Sequence, residues 1–278
     1  MKKFLIILLS FVLFVFPEDL ILVSIYPFYD VVKDISGKYY RVESLVPPKA
    51  DYHVYELTPR ELIKLYRAKV VFVSGVPLGE WEEKVEKIAK GKVYSLSKGI
   101  ELITYGHEEL GKDPHFWVSP KRMLKVAKNV EEALTETFKK NFSENYKNVE
   151  QELKKLDEAY TKTLSKCEYK KFGAVHGAFG YLAKDYGLEQ VLLREEHGHG
   201  DISPSELKKL VKLIKKKEIK VVLIPKGVHS KFAEILKETY NITVYEVNVK
   251  IIPEEEGDNY YKIMERNLKV LKEALKCG

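Results

Sequence analysis

The sequence predicts an α/β protein of two lobes, each a mainly parallel sheet flanked by helices, joined by one long rigid backbone helix. Three observations carry this expectation. Short apolar, β-branched runs alternate with amphipathic helical segments along the chain. The alternation occurs in two sets. Between them lies SENYKNVEQELKKLDEAYTKTLSKC, which contains neither proline nor glycine.

The first set pairs LILVSIY with YDVVKDIS, RVESLV with PRELIKLYRA, KVVFVSG with EWEEKVEKIA, and ELITY with PKRMLKVAKNVEEALTETF. The second pairs FGAV with AFGYLAKDYG, VLL with PSELKKLVKLIKKK, KVVLIP with SKFAEILKETY, and ITVYEV with the closing helix NYYKIMERNLKVLKEALK. In the connecting segment Val149, Leu153, Leu156, Tyr160 and Leu164 fall at helical spacing and give one narrow apolar stripe. A helix of roughly 24 residues is about 35 Å long at 1.5 Å rise, a stiff strut. The expected organisation is therefore a lobe over 20–140, a linking helix over 141–167 and a second lobe over 168–278.

Residues 1–19 read differently. Two lysines precede a segment from Phe4 to Phe16 that is apolar except for Ser10, and Pro17, Glu18 and Asp19 end it. That is the pattern of a signal peptide, and it is shorter than the ~20 apolar residues a bilayer-spanning helix needs. No A-x-A-like cleavage site is evident and no early cysteine offers a lipidation point, so removal of the segment and its retention as an anchor both stay open. The expectation is an exported chain, periplasmic, secreted or anchored on the extracytoplasmic face. In such a compartment Cys167 and Cys277, the only cysteines, can exist as a disulfide or as two thiols.

With 47 basic and 41 acidic residues the net charge is +6, but the signs are interleaved along the helices, as in VEKIAKGK. A solvated Lys/Glu surface accounts for this better than a nucleic-acid footprint, and no nucleic-acid motif is present.

Helix starts place the histidines. Thr58-Pro59-Arg60-Glu61 and Ser203-Pro204-Ser205-Glu206 are capping boxes with proline at the first helical position, and Ser119-Pro120 is the same start without the glutamate. His53 precedes Thr58 by five residues, His115 precedes Ser119 by four, and His176 directly follows FGAV, just ahead of GAFGYLAKDYG. Each occupies a loop leaving a strand and entering a helix, and in open parallel sheets such loops line the ligand crevice. Two imidazoles from the first lobe and one from the second can share a divalent ion, and this donor set suits Zn²⁺ with an oxygen or water in a tetrahedral fourth position. Singly, each histidine is more ordinarily a hydrogen-bonded structural residue. The three equivalent placements favour the ligand reading.

The stretches SIYPFYDVVKDISG, SLVPPKADYHVYELTPREL, VVFVSGVPLGEW, DPHFWVSP, AVHGAFGYLAKDYGL, ISPSELKKLVKLIKKKEIKVVLI and GDNYYKIMERNL together resemble the metal-specific solute-binding proteins of ABC importers, of the ZnuA/TroA zinc and manganese type. The resemblance covers nearly all of the chain after residue 19. It implies two lobes on one long helix, a single ion between them, and a monomeric extracytoplasmic receptor that delivers the ion to an importer permease rather than an enzyme. Residue by residue, His53 in DYHVYELTP matches the first ligand, His115 in DPHFWVSP the second and His176 in AVHGAFGYL the third. Manganese-type relatives usually have glutamate at the third position, so His176 implies Zn²⁺, with Mn²⁺ the alternative.

The sequence departs from the family pattern at Asn248, where the family commonly has an aspartate as fourth ligand. An amide oxygen is the weaker donor, so water, Asn248 or an acidic side chain remain alternatives. Pro225-Lys226-Gly227, followed by His229, also departs from the family. The His/Asp-rich insertion of zinc-uptake members is reduced to His107, Glu108 and Glu109. A separate cluster, REEHGHGD, gathers Glu195, Glu196, His197, His199 and Asp201, and is either a metal-capture loop or a polar surface loop. Two other functions compete: a zinc hydrolase, for which no motif places a general base, and an anion or siderophore receptor built on helix N-termini such as that at Ser119.

Overall fold

The computed structural model describes residues 19–76, 78–104, 111–193, 204–227, 231–240 and 242–278. The apolar segment 1–18, His107 to Glu109, the 195–201 cluster with His197 and His199, Ser203 and His229 lie outside the described residues. Among the described residues, no helix is long and apolar enough to cross a membrane.

The first lobe alternates β1 (Leu20–Val23), α1 (Tyr29–Ser36), β2 (Arg41–Ser44), α2 (Pro59–Arg67), β3 (Val70–Val73), α3 (Glu82–Ile88) and β4 (Lys92–Ser95), and closes with α4 (Pro120–Phe138). The strands lie in the order β2-β1-β3-β4, all pairs parallel. The long helix α5 (Ser143–Leu164) follows. The second lobe comprises β5 (Lys171–Ala174), α6 (Gly180–Asp185), β6 (Glu189–Leu192), α7 (Pro204–Lys216), β7 (Val221–Pro225), α8 (Lys231–Tyr240), β8 (Thr243–Val247) and α9 (Tyr260–Ala274). Its sheet repeats the order, β6-β5-β7-β8, again parallel. Central strands β3 and β7 are buried at every residue, as parallel strands covered on both faces must be.

One strand differs from the sequence reading. The fourth strand of the first lobe is KVYS, Lys92–Ser95, and not ELITY, whose Thr104 makes only an isolated bridge to Lys112. Gly91 allows this: a Cβ there would stand 2.3 Å from the Ala68 carbonyl oxygen, so only glycine lets the chain run close enough to pair with β3. Residues 101–104 are instead drawn toward the second lobe, where the Ile103 amide donates to Tyr181 Oη at 3.3 Å.

The five stripe residues of α5 are all buried. The helix packs on α4 and α1 of the first lobe and on α9 of the second, so the strut braces both lobes. Cys167 and Cys277 form a disulfide that ties the end of this helix to the C-terminus across 110 residues.

Hydrogen bonds also fasten the lobes directly. Asp185 of α6 takes Arg122 of α4 at 2.7 Å to each carboxylate oxygen, and Ser119 Oγ donates to Asp185 Oδ2 at 2.7 Å. Ser119 is the residue before α4, yet its hydroxyl makes this bond between lobes and no helix cap. The expected box at Thr58 does form, with Glu61 accepting the Thr58 amide at 2.9 Å. Trp117 Nε1 donates to the Val249 carbonyl at 2.8 Å, Tyr260 Oη donates to the Trp117 carbonyl at 2.7 Å, and Asp30 Oδ2 accepts the Tyr260 amide at 2.8 Å.

Candidate metal centre

His53, His115 and His176 meet between the lobes, at the ends of the loops that follow β2, β4 and β5. One ligand nitrogen from each lies within 4.8 Å of those of the other two. The Nε2 atoms of His115 and His176 are 3.2 Å apart. The ring centroids are separated by 5.5 Å for His53 and His115, 5.6 Å for His53 and His176, and 4.9 Å for His115 and His176. Tetrahedral ligands at about 2.05 Å from zinc would have nitrogens about 3.3 Å apart, close to the shortest of these spacings.

Two of the rings are held through Nδ1. His115 is fully buried, and its Nδ1 faces Asp113 Oδ1 at 2.8 Å. The same oxygen accepts the His115 backbone amide at 2.8 Å, a tight turn made by a carboxylate two residues upstream. A carboxylate accepts only, so this contact places the proton on Nδ1 and leaves the Nε2 lone pair for an ion. The Asp113 carbonyl in turn accepts Tyr181 Oη at 2.7 Å. Gly180 makes room for the arrangement, since a Cβ there would stand 2.8 Å from Asp113 Oδ2. His53 is oriented in the same sense, its Nδ1 3.1 Å from the Leu78 carbonyl oxygen and its amide donating to Asp51 Oδ1 at 3.0 Å. Tyr52 packs beside His53 at 4.6 Å and Trp117 beside His115 at 5.2 Å, giving the centre aromatic walls. The Lys250 ammonium lies 5.6 Å above the outer Tyr52 ring.

Asn248 follows β8 and is 8% exposed. Its amide closes a loop: Oδ1 accepts the Ile252 amide at 3.0 Å, and Nδ2 donates to the Ile252 carbonyl at 2.7 Å and to Glu254 Oε1 at 2.8 Å. Glu254 also pairs with Lys226, which gives the departure at 225–227 a place beside this loop.

The sequence reading found the three imidazoles and missed their supports. Asp113 was legible as an acidic residue two positions before a histidine, the spacing of a side-chain turn. The Leu78 carbonyl had no side-chain signature. Glu82, at the start of α3, reads as an ordinary acidic first-turn residue, but it is 7% exposed, and burial pushes its carboxyl up to about 7 against the opposing pull of hydrogen bonds from the Ser74 and Leu78 amides.

Comparison with known proteins agrees with this architecture. The zinc-binding lipoprotein AdcA of Streptococcus pneumoniae R6 is 28% identical over 276 residues, covering 91% of this chain and 55% of AdcA. The chain therefore spans about half the length of those relatives. The high-affinity zinc uptake system protein ZnuA of Bacillus subtilis is 29% identical over 278 residues, 92% of this chain and 87% of that protein. The crystal structure of the Zn(II)-bound ZnuA-like domain of S. pneumoniae AdcA superposes with a TM-score of 0.80 at 27% identity, covering 93% of this chain and 99% of the domain. The metal-dependent lipoprotein YcdH from B. subtilis gives 0.80 at 29%, covering 93% and 100%. The two parallel sheets, the long brace and the histidine cluster thus accompany a sequence profile that matches residues 21–274, that of ZnuA, zinc-uptake complex component A, periplasmic, and the chain belongs to this family.

Proposed function

We propose that this chain is an extracytoplasmic receptor that binds a divalent metal, Zn²⁺, through His53, His115 and His176 and delivers it to the permease of an ABC importer. The observation that carries the reading is the meeting of three imidazoles from three separate loops, two with Nδ1 turned toward an acceptor. Nitrogen donors of this kind favour Zn²⁺ over Mn²⁺, which prefers carboxylate and water oxygens. The zinc-binding and zinc-uptake descriptions of AdcA and ZnuA support the same cargo.

Water is the fourth ligand in this reading. Coordination by the Asn248 oxygen would break its bond from the Ile252 amide and disturb a closed ring of contacts. The chain acts as a monomer of two lobes, 20–140 and 168–278, on the 141–167 helix, with the 1–19 segment as export signal or anchor and no nucleic-acid partner. The 195–201 loop, with His197 and His199, serves as a weak capture site for the incoming ion. It is a receptor and not an enzyme.

Metal analysis of protein purified without chelator, followed by Zn²⁺ and Mn²⁺ competition, tests the proposal. A single Zn²⁺ that resists Mn²⁺ is expected, with affinity reduced by orders of magnitude in His53→Ala, His115→Ala and His176→Ala. Unchanged zinc binding in all three variants would remove the ligand assignment. A hydrolytic turnover abolished by His115→Ala would replace the receptor reading with an enzymatic one.

A further inference from the structure

We infer that Glu82 is a positioning residue for the metal centre: its buried carboxylate holds the turn after β3 in the shape that presents the Leu78 carbonyl to His53. The inference rests on the reading of His53 as a ligand.

Glu82 spans the turn. Oε1 accepts the Ser74 amide at 2.7 Å where β3 ends, and Oε2 accepts the Leu78 amide at 3.3 Å. The peptide oxygen of Leu78 is the one 3.1 Å from His53 Nδ1. The turn meets the 52–53 backbone at two further points. Trp81 Nε1 donates to the Tyr52 carbonyl at 2.6 Å, and a Cβ at Gly79 would stand 2.8 Å from the His53 carbonyl oxygen. The turn and the histidine loop are therefore packed so closely on the Gly79 side that no side chain fits between them. Glu82 fixes the remaining freedom from within.

A buried carboxylate is costly to desolvate, and an apolar residue would serve this buried first turn of α3 better if packing were its only task. Its two amide partners explain its presence. Without the carboxylate, the Ser74 and Leu78 amides lose these acceptors, the backbone on the N-terminal side of Leu78 is no longer held, the following peptide group that carries the Leu78 carbonyl can turn with it, and the His53 ring loses the contact that keeps its proton on Nδ1. Metal-binding histidines lose about 10- to 100-fold in affinity when a directly bonded outer partner is removed. Glu82 acts one bond further out, so the lower end of that range applies.

The test compares Glu82→Ala and Glu82→Gln with Val85→Ala and His53→Ala. Val85 is fully buried on the same helix and controls for general destabilisation. Zinc affinity is read by chelator competition well below the melting temperature of each apo-protein. The His53 tautomer is read from imidazole ¹⁵N shifts of the apo-proteins. Glu82→Ala should weaken zinc about 10-fold and Glu82→Gln about 3-fold, both with a mixed His53 tautomer. Val85→Ala should lower the melting temperature with affinity within about twofold of wild type and a single tautomer. If Glu82→Ala does not fold, Glu82→Gln carries the test. Wild-type affinity and tautomer in the Glu82 variants, or an equal loss in Val85→Ala at equal melting temperature, would overturn the inference. His53→Ala separates the two levels of argument: an unchanged affinity there defeats the ligand reading itself, whereas a large loss there with none at Glu82 defeats only the positioning role.

Discussion

Asp113 offers the sharpest test of how the centre is held. One of its oxygens accepts both the backbone amide and the ring Nδ1 of His115, each at 2.8 Å, in a place where both residues are almost fully buried. Asp113→Asn preserves the size and the carbonyl acceptor, so both contacts can persist while the charge is lost. Hydrogen bonds to charged groups contribute about 1.5–3 kcal/mol and neutral ones about 0.5–1.5 kcal/mol. The difference of about 1–1.5 kcal/mol corresponds to roughly 5- to 12-fold in zinc affinity. Asp113→Ala removes the acceptor altogether and frees the ring to turn, so a loss near 100-fold is expected, the upper end for outer partners of metal-bound histidines. Zinc competition against a chromogenic chelator at constant pH and salt gives both values. The order wild type, Asn, Ala is the essential result. Equal affinity in all three proteins, with His115→Ala still severe, would show that the carboxylate does not prepare His115 for the ion.

Two further outcomes follow from features away from the ion. Replacing both Cys167 and Cys277 by serine opens a loop closed over a separation of 110 residues, and chain entropy sets the loss at up to about 4.7 kcal/mol, measurable by denaturant unfolding against the oxidised protein; an unchanged midpoint would show that the crosslink contributes nothing to stability. Asp30 has its carboxyl raised from 3.8 to about 6, first by burial and further by Asp34, against the pull of the Tyr260 amide and Lys33. The folded chain therefore holds this proton more tightly than the unfolded chain, and stability from this group is present below about pH 4 and lost as pH rises to about 6, by roughly 2–3 kcal/mol. Asp30→Asn keeps an acceptor for the Tyr260 amide, so the difference in unfolding free energy between variant and wild type should grow in the variant's favour across that interval; a constant difference refutes the assignment.

Much of this fold was legible in the sequence because its local signals agree. The Thr58 and Ser119 starts fixed where helices begin, which in turn placed His53 and His115 in loops at the carboxyl ends of strands. The apolar spacing from Val149 to Leu164 specified a helix buried along one stripe, as observed. The fourth strand was missed because ELITY is more apolar than KVYS, and a strand at the edge of a sheet has few burial demands to mark it; Lys92–Ser95 is exposed or half-buried at every position. Close approach at Gly91 decides the pairing, and that is a three-dimensional fact. The supports of the centre were hidden for a related reason. Asp113 and Glu82 look like ordinary acidic residues until burial and their amide partners are known, and the carbonyl of Leu78 belongs to the backbone. The bonds of the Asn248 amide to Ile252 and Glu254 likewise depend on a turn that no spacing rule announces.

The fastenings behind the centre have a consequence for how a loaded molecule is told from an empty one. Arg122 and Ser119 grip Asp185, Trp117 reaches Val249, and Tyr260 is bonded to both Trp117 and Asp30, while α5 runs along the back of both halves. A clamshell motion would have to rupture several of these bonds at once. Under the proposed receptor role, occupancy would therefore be written on the rim, in the set of a few side chains around the imidazoles, and a permease would read that small patch by touch instead of sensing a change in the molecule's outline.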